Sequence, residues 1–143
     1  GGGSLGQDKD DSNLLKKHLI IPTKKKLTPN QLSTGLFAWK VVKHTKSNAI
    51  VVAKNNKIIS ISGGQTSRVD ATKIAFEKTK IPKGCVVASD AFFPFKDSIE
   101  KMAQYNIAAI IQPGGSIRDR EVVESCNKNK IAMAFTGFRV FKH

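Results

Sequence analysis

From residue 28 onward, the apolar positions of this chain fall into regular periods that name their own elements. Leu32, Leu36, Trp39 and Val42 recur at helical spacing. Ahead of them, Thr28-Pro29-Asn30-Gln31 supplies an N-cap, a proline at the first helical position and a glutamine three residues on. A helix is therefore predicted to open at Thr28 and run to about Lys46. Two β-branched runs follow at 48–53 and 58–62, joined by Lys54-Asn55-Asn56-Lys57. Asparagine tolerates positive φ, so this arrangement predicts a hairpin. Beyond it the pattern alternates: helix 67–78, strand 85–89, helix 95–105, strand 107–112, helix 117–129 and strand 131–136. Ser67-Arg68-Val69-Asp70 and Ser116-Ile117-Arg118-Asp119 carry the capping-box pattern and mark two of these helix starts.

Strands separated by single helices imply right-handed crossovers and parallel pairing. The expected fold class is α/β, with a mixed five-stranded sheet, one strand antiparallel through the hairpin, and helices on both faces. Residues 28–143 form the folded unit of this reading, and residues 1–27 read as an arm or linker from a preceding region. The first thirteen residues are glycine-rich and polar, 14–21 hold a short apolar stretch, and 22–27 are basic and extended. The chain starts at Gly1 without an initiator methionine. Gly1-Gly2-Gly3-Ser4 reads either as a linker scar or as a point inside a longer protein.

The 143 residues suit one buried core. No apolar run approaches the roughly 20 residues of a membrane span, and no signal-peptide pattern opens the chain. Cys85 and Cys126 lie far apart, so they read as reduced thiols of a cytoplasmic protein. Twenty-four basic against eleven acidic residues give a net charge of +13, which favours phosphates, polycarboxylates or nucleic acid as partners. Most of the excess is scattered lysine, and aromatic residues make up only 7%. A nucleic-acid surface clusters arginine and aromatics on one face, which weighs against that partner.

In an open parallel sheet, ligands bind beyond the carboxyl ends of the strands. Those ends carry residues 62–68, 89–97, 112–116 and 136–139, and Asn48 joins them because it opens the antiparallel partner of the 58–62 strand. Gly63-Gly64 and Gly114-Gly115 either supply positive φ at a turn or let backbone N–H groups approach an anion. Phe92, Phe93 and Phe95 around Pro94 read either as core or as walls for a flat heterocycle. Asp97, just inside a helix start, either complements the helix dipole or accepts hydrogen bonds from a pterin-like amino-pyrimidine. Arg68 and Arg139 are two of only four arginines. Planar, bidentate recognition of phosphate or carboxylate is where lysine cannot substitute.

Other chemistries find no matching residues. His18, His44 and His143 are the only histidines, and no His, Cys or carboxylate spacing resembles a metal site. There is no P-loop, no G-x-G-x-x-G, no deaminase H-x-E with P-C-x-x-C, and no G-x-S-x-G elbow or Cys-His arrangement. Lys43-His44 falls inside the first predicted helix and reads as a solvated face.

Five segments together carry a resemblance: Lys46-Ser47-Asn48-Ala49-Ile50, Gly63-Gly64-Gln65-Thr66-Ser67-Arg68-Val69, Ala88-Ser89-Asp90-Ala91-Phe92-Phe93-Pro94-Phe95-Lys96-Asp97, Ile111-Gln112-Pro113-Gly114-Gly115-Ser116-Ile117-Arg118-Asp119 and Phe138-Arg139-Val140-Phe141-Lys142-His143. They resemble the carboxyl-terminal part of the bifunctional purine-biosynthesis enzymes that combine AICAR formyltransferase with IMP cyclohydrolase. Gly2-Gly3-Ser4-Leu5-Gly6-Gln7-Asp8 is similar to the family's GG-x-L-x-QD segment, so the resemblance covers essentially the whole chain.

The resemblance implies a cytidine-deaminase-like, three-layer α/β/α unit, the second of two tandem units, without zinc chemistry. It implies formyl transfer from the co-substrate 10-formyltetrahydrofolate to AICAR, in a cytoplasmic homodimer with sites shared between subunits. It also implies nucleotide contacts at Asn48, Arg68, Phe92 and Arg139, folate contacts at Val69, Asp97, Gly114 and Gly115, and no metal in the chemistry. Lys96 stands where arginine is common in the family. The family's catalytic lysine and histidine lie in a K-H-x-N-P segment that this chain does not contain, and the cyclohydrolase domain has no counterpart in these residues. A poor amine nucleophile needs a base and an oxyanion stabiliser, so the chain by itself is expected to bind weakly and transfer little. Two rival readings stand beside this one: a non-catalytic nucleotide-binding module on the same fold, and a basic nucleic-acid-binding domain.

Overall fold

The computed structural model describes residues 16–93 and 96–137. Its elements are α1 (Pro29–Lys43), β1 (Ile50–Lys54), β2 (Lys57–Ser62), α2 (Arg68–Glu77), β3 (Val86–Ser89), α3 (Lys96–Ala103), β4 (Ala109–Gln112), α4 (Asp119–Lys128) and β5 (Ala132–Phe135). The strands form one sheet in the order β2-β1-β3-β4-β5. β1 runs against both of its neighbours, while β3, β4 and β5 pair in parallel. The single reversed strand is thus internal, flanked by its hairpin partner on one side and the parallel set on the other. Asn55 and Asn56, at φ 51° and 60°, make the two-residue connection whose twist matches the flanking strands.

Strand parity divides the core. Ile50, Val52, Val87, Ile110 and Met133 point to one face, where they pack with Ala71 and Phe76 of α2, Ile99 and Met102 of α3, and Val122 and Cys126 of α4. Val51, Ala53, Ala88, Ile111 and Ala134 point to the other face and meet Ala38, Trp39 and Val42 of α1. Among the named elements the result is three layers, with α1 on one side of the sheet and α2, α3 and α4 on the other.

Helix boundaries differ from the sequence reading at the end of α1 and the start of α4, and α3 closes at Ala103 where the sequence predicts 105. The capping box of α1 forms reciprocally: Gln31 N donates to Thr28 Oγ1 at 3.1 Å, and Thr28 N donates to Gln31 Oε1 at 2.9 Å. Yet α1 ends at Lys43, with His44 as C-cap, rather than at Lys46. Thr45 Oγ1 donates to Val41 O at 2.8 Å, and Lys46 O accepts from Gly64 N at 2.6 Å. The chain leaves the helix there to meet the turn after β2. A Cβ at Gly63 would stand 2.5 Å from Thr45 Cγ2, so the approach requires glycine.

The second difference is at α4, which opens at Asp119 rather than at residue 117, and its N-cap is Arg118 rather than Ser116. Asp119 reaches back to accept from Gly115 N and Ser116 N, while Ser116 Oγ accepts from Arg118 N in a local turn.

Part of the stretch read as arm or linker lies on the sheet edge. Ile20 and Phe135 exchange backbone hydrogen bonds at 3.0 and 2.7 Å, and Met133 N donates to Thr23 Oγ1 at 2.9 Å. Leu19, Ile21 and Leu27 pack against the α1 side of the core. These contacts cover an edge strand that would otherwise present unpaired backbone groups. Among the described residues, no helix is long and apolar enough to cross a membrane.

Candidate functional site

The amino-terminal end of β1 and the carboxyl ends of β2 and β3 share one edge, since Ile50 pairs with both Ser62 and Ser89. Gln112 pairs with Phe135 at the same edge across β4 and β5. The segments singled out in the sequence therefore emerge on one rim, as far as they are described.

At its β1–β3 part the rim is organised by a buried carboxylate. Asp90, 1% exposed, directly follows β3 and forms an ion pair with Arg68, 7% exposed, at 2.6 Å. The same Asp90 oxygen accepts from Ala49 N at 3.2 Å, and its other oxygen accepts from Ser47 Oγ at 2.5 Å. Arg68 donates further to Ala49 O at 2.8 Å and to Asn48 Oδ1 at 3.1 Å. Asn48 is bound on its other side to Gln65, whose carbonyl accepts from Asn48 N at 3.1 Å and from Asn48 Nδ2 at 2.9 Å. The Ser47–Asn48 peptide is cis.

Burial pushes the Arg68 guanidinium below its ordinary value, and the charge and hydrogen bond of Asp90 act against that push. Arg68 Nε is buried without an acceptor among the described residues. Asn48 and Arg68, both nucleotide candidates, are in direct contact. Asp90 is the residue the sequence reading left without a role. The available signal was positional: it is an acid directly following an apolar strand, at the edge where an arginine was already placed.

The aromatic cluster divides. Phe93 is fully buried in the core beneath α2 and α3, so it is core and not a ligand wall. Phe92 is half-buried in the loop after β3. Pro94 and Phe95 lie outside the described residues, as does Arg139 of the nucleotide set.

α2 and α3 both start from this rim and leave between them a groove of about 470 Å³. Its lining includes Val69, Lys73, Phe76, Asp97, Lys101 and Tyr105. Val69 and Asp97, both folate candidates, therefore share one cavity. The adjacent residues Arg68 and Val69 face opposite environments at the start of α2: the arginine is buried, while the valine is 50% exposed. Asp97 is exposed in the first turn of α3, where a negative charge also complements the helix dipole. Phe76 and Tyr105 stack at 4.8 Å with their rings tilted by 43°.

The glycine pair after β4 resolves toward backbone conformation. Gly114 and Gly115 have φ of 76° and 96°. Their N–H groups are already engaged: Gly114 N donates to Gln112 Oε1 at 3.3 Å, and Gly115 N donates to Asp119 Oδ2 at 2.7 Å. The chain's own Asp119 carboxylate fills the place in which an external anion was the alternative. Among the described residues, no group of three His, Cys, Asp or Glu side chains could hold a metal ion. Lys43 closes α1, and the exposed His44 caps it, so His44 stands just past the helix in which the sequence reading places the pair.

Comparison with known proteins gives a consistent picture. Residues 1–78 match the family model described as the AICARFT/IMPCHase bienzyme. The chain is 55% identical over 146 aligned positions to the bifunctional purine biosynthesis protein PurH of Aquifex aeolicus. It is 53% identical to the PurH protein of Acetivibrio thermocellus and 51% identical to that of Persephonella marina. Each alignment covers 99% of this chain, which spans only 28% of the length of each of these relatives.

Proposed function

The chain belongs to the AICARFT/IMPCHase bienzyme family, and from that premise we propose that it supplies the nucleotide- and folate-binding rim of an AICAR formyltransferase. In this reading it is the carboxyl-terminal, cytidine-deaminase-like unit of the formyltransferase region, acting within a homodimer. The observation that carries the proposal is the first turn of α2. Arg68 turns inward to Asn48 and Asp90, while its neighbour Val69 opens onto the groove that also holds Asp97. Two adjacent residues thus face two different surroundings, a buried polar cluster and an open groove, which suits a transfer between two substrates.

The nucleotide is assigned to Asn48, Arg68, Phe92 and Arg139. The folate donor, 10-formyltetrahydrofolate, is assigned to Val69, Asp97, Gly114 and Gly115, the glycines offering backbone surface and not their N–H groups, which Gln112 and Asp119 hold. An exposed carboxylate beside an apolar side chain suits an amino-pyrimidine ring, because the acid accepts N–H donors while the valine covers a ring face. In the reaction, the AICAR amine forms a C–N bond to the formyl carbon, the donor's C–N bond breaks, and the proton the amine loses is taken up overall by the departing donor nitrogen. Positioning both substrates on one rim lowers the entropic part of that barrier. The proton and the oxyanion need further groups. In this reading those groups come from the family's K-H-x-N-P segment, which is not among these residues.

The test is a formyl-transfer assay with AICAR and 10-formyltetrahydrofolate. The isolated chain is expected to show no turnover. In the complete enzyme, Asp97→Ala is expected to raise the KM for the folate about tenfold, the worth of a lost hydrogen bond to a charged group, while leaving the KM for AICAR in place. Robust turnover by the isolated chain, or equal loss of both affinities, would overturn the assignment. Salt-dependent binding to generic duplex with no AICAR binding would favour the nucleic-acid reading instead.

A further inference from the structure

We propose that Asp90 is the positioning residue of the nucleotide site: one carboxylate, two residues ahead of Phe92, fixes Arg68 and both flanks of Asn48. This rests on the nucleotide reading above. The contacts are unusually concentrated. Arg68 is held by a direct ion pair at 2.6 Å. Asn48 is bracketed, with Ser47 Oγ before it and Ala49 N after it both donating to Asp90. Phe92 follows Asp90 by two residues. Arg68 and both chain neighbours of Asn48 therefore donate to a single side chain that itself lies 1% exposed.

Stability alone is a weak account of this arrangement. Removing two charges from water costs several kcal/mol per ion, and apolar side chains of similar volume often do as well or better in such places. What an ion pair adds is direction. Three donations, to Ala49 O, Asn48 Oδ1 and Asp90 Oδ1, fix the plane of the Arg68 guanidinium. A planar group recognises an anion through its orientation, so its value for binding depends on that plane being fixed before the ligand arrives. Asp90 makes no contribution of its own to the ligand in this scheme and acts through Arg68 and Asn48.

The experiment compares Asp90→Asn and Ser47→Ala with the wild type in the complete enzyme, measuring KM for AICAR and for 10-formyltetrahydrofolate separately, together with thermal unfolding. Asp90→Asn keeps the size and one acceptor but removes the charge. It is expected to raise the AICAR KM by about tenfold or more, the range of a lost charged hydrogen bond, with the folate KM within about twofold. Ser47→Ala removes one of the donors to Asp90 and is expected to raise the AICAR KM about threefold, the lower end of hydrogen-bond contributions. A purely structural role would lower the active fraction and leave both KM values unchanged, and that result overturns the proposal. If Asp90→Asn does not fold, Ser47→Ala decides, and an unchanged AICAR KM there is equally fatal. Absence of AICAR binding by the wild type is a different result: it removes the nucleotide reading and this proposal with it.

Discussion

Gly114 lies directly against the ring of Phe135: a Cβ built on it would stand 2.9 Å from Phe135 Cγ and 3.1 Å from Cδ2. This contact locks the loop after β4 onto β5, and it separates the roles of two adjacent glycines. Gly114 is constrained both by its φ of 76° and by the ring, whereas Gly115 has φ 96° and open space. Gly114→Ala is therefore expected to destabilise the fold by about 2–4 kcal/mol, combining left-handed strain with overpacking. Gly115→Ala is expected to cost about 1–2 kcal/mol from backbone strain alone. Denaturant unfolding of the two variants checks the order, and a smaller loss at Gly114 than at Gly115 would refute the packing argument.

The Arg68–Asp90 pair makes a second prediction, on stability. Arg68→Met leaves Asp90 buried without its cation and is expected to cost about 3–5 kcal/mol. Asp90→Asn in the Arg68→Met background removes the orphaned charge, so the double variant should be more stable than the sum of the single losses predicts. A double-mutant cycle in denaturant reads this coupling directly. Additive losses would mean that the two charges do not depend on each other.

Cys126 supplies a prediction for alkaline pH. Burial pushes its thiol up to about 12, from an ordinary value of 9.0. Between those values the unfolded chain releases a proton that the folded chain keeps, so rising pH favours unfolding. The stability held by the neutral buried thiol is complete below about pH 9 and is lost as pH climbs toward 12, at up to about 1.4 kcal/mol per pH unit. Cys126→Ala should flatten that part of the stability curve. Cys85 is also buried and also shifted upward by burial. Neither thiol should react with an aromatic disulfide reagent at pH 8 in the folded protein, and both should react in denaturant.

Legibility followed the range of the interactions. The capping box at Thr28 and Gln31 is contained in four consecutive residues, and it forms as its pattern predicts. Asn55-Asn56 likewise carries its own conformational preference into the hairpin turn. The end of α1 was not legible, because Lys46 is drawn out of the helix by Gly64, eighteen residues away in sequence. The start of α4 was misread for a related reason. Ser116 and Asp119 fit the capping pattern, and Asp119 does accept from Ser116 N, but the Ser116 hydroxyl accepts from Arg118 N instead of Asp119 N, so only half of the box forms and the helix opens later.

The candidate site divides in the same way. The placement of Arg68, Asn48, Val69 and Asp97 along one rim follows from strand order and direction, which hydrophobic periodicity reveals. The fate of individual side chains does not follow from it. Phe93 joins the core while Phe92 stays at the loop surface, and a period of one residue at a strand end cannot say which will turn inward.

The chain's own periodicity and turn chemistry determined the succession of elements, the antiparallel hairpin and the edge at which its unusual residues gather, because these depend on neighbours within a few positions. Only the tertiary structure decided that Asp90 would be the hub beneath that edge. It does so by bringing together residues 47, 49, 68 and 90, whose hydrogen bonds and charges act over a few ångströms of space whatever the length of chain between them.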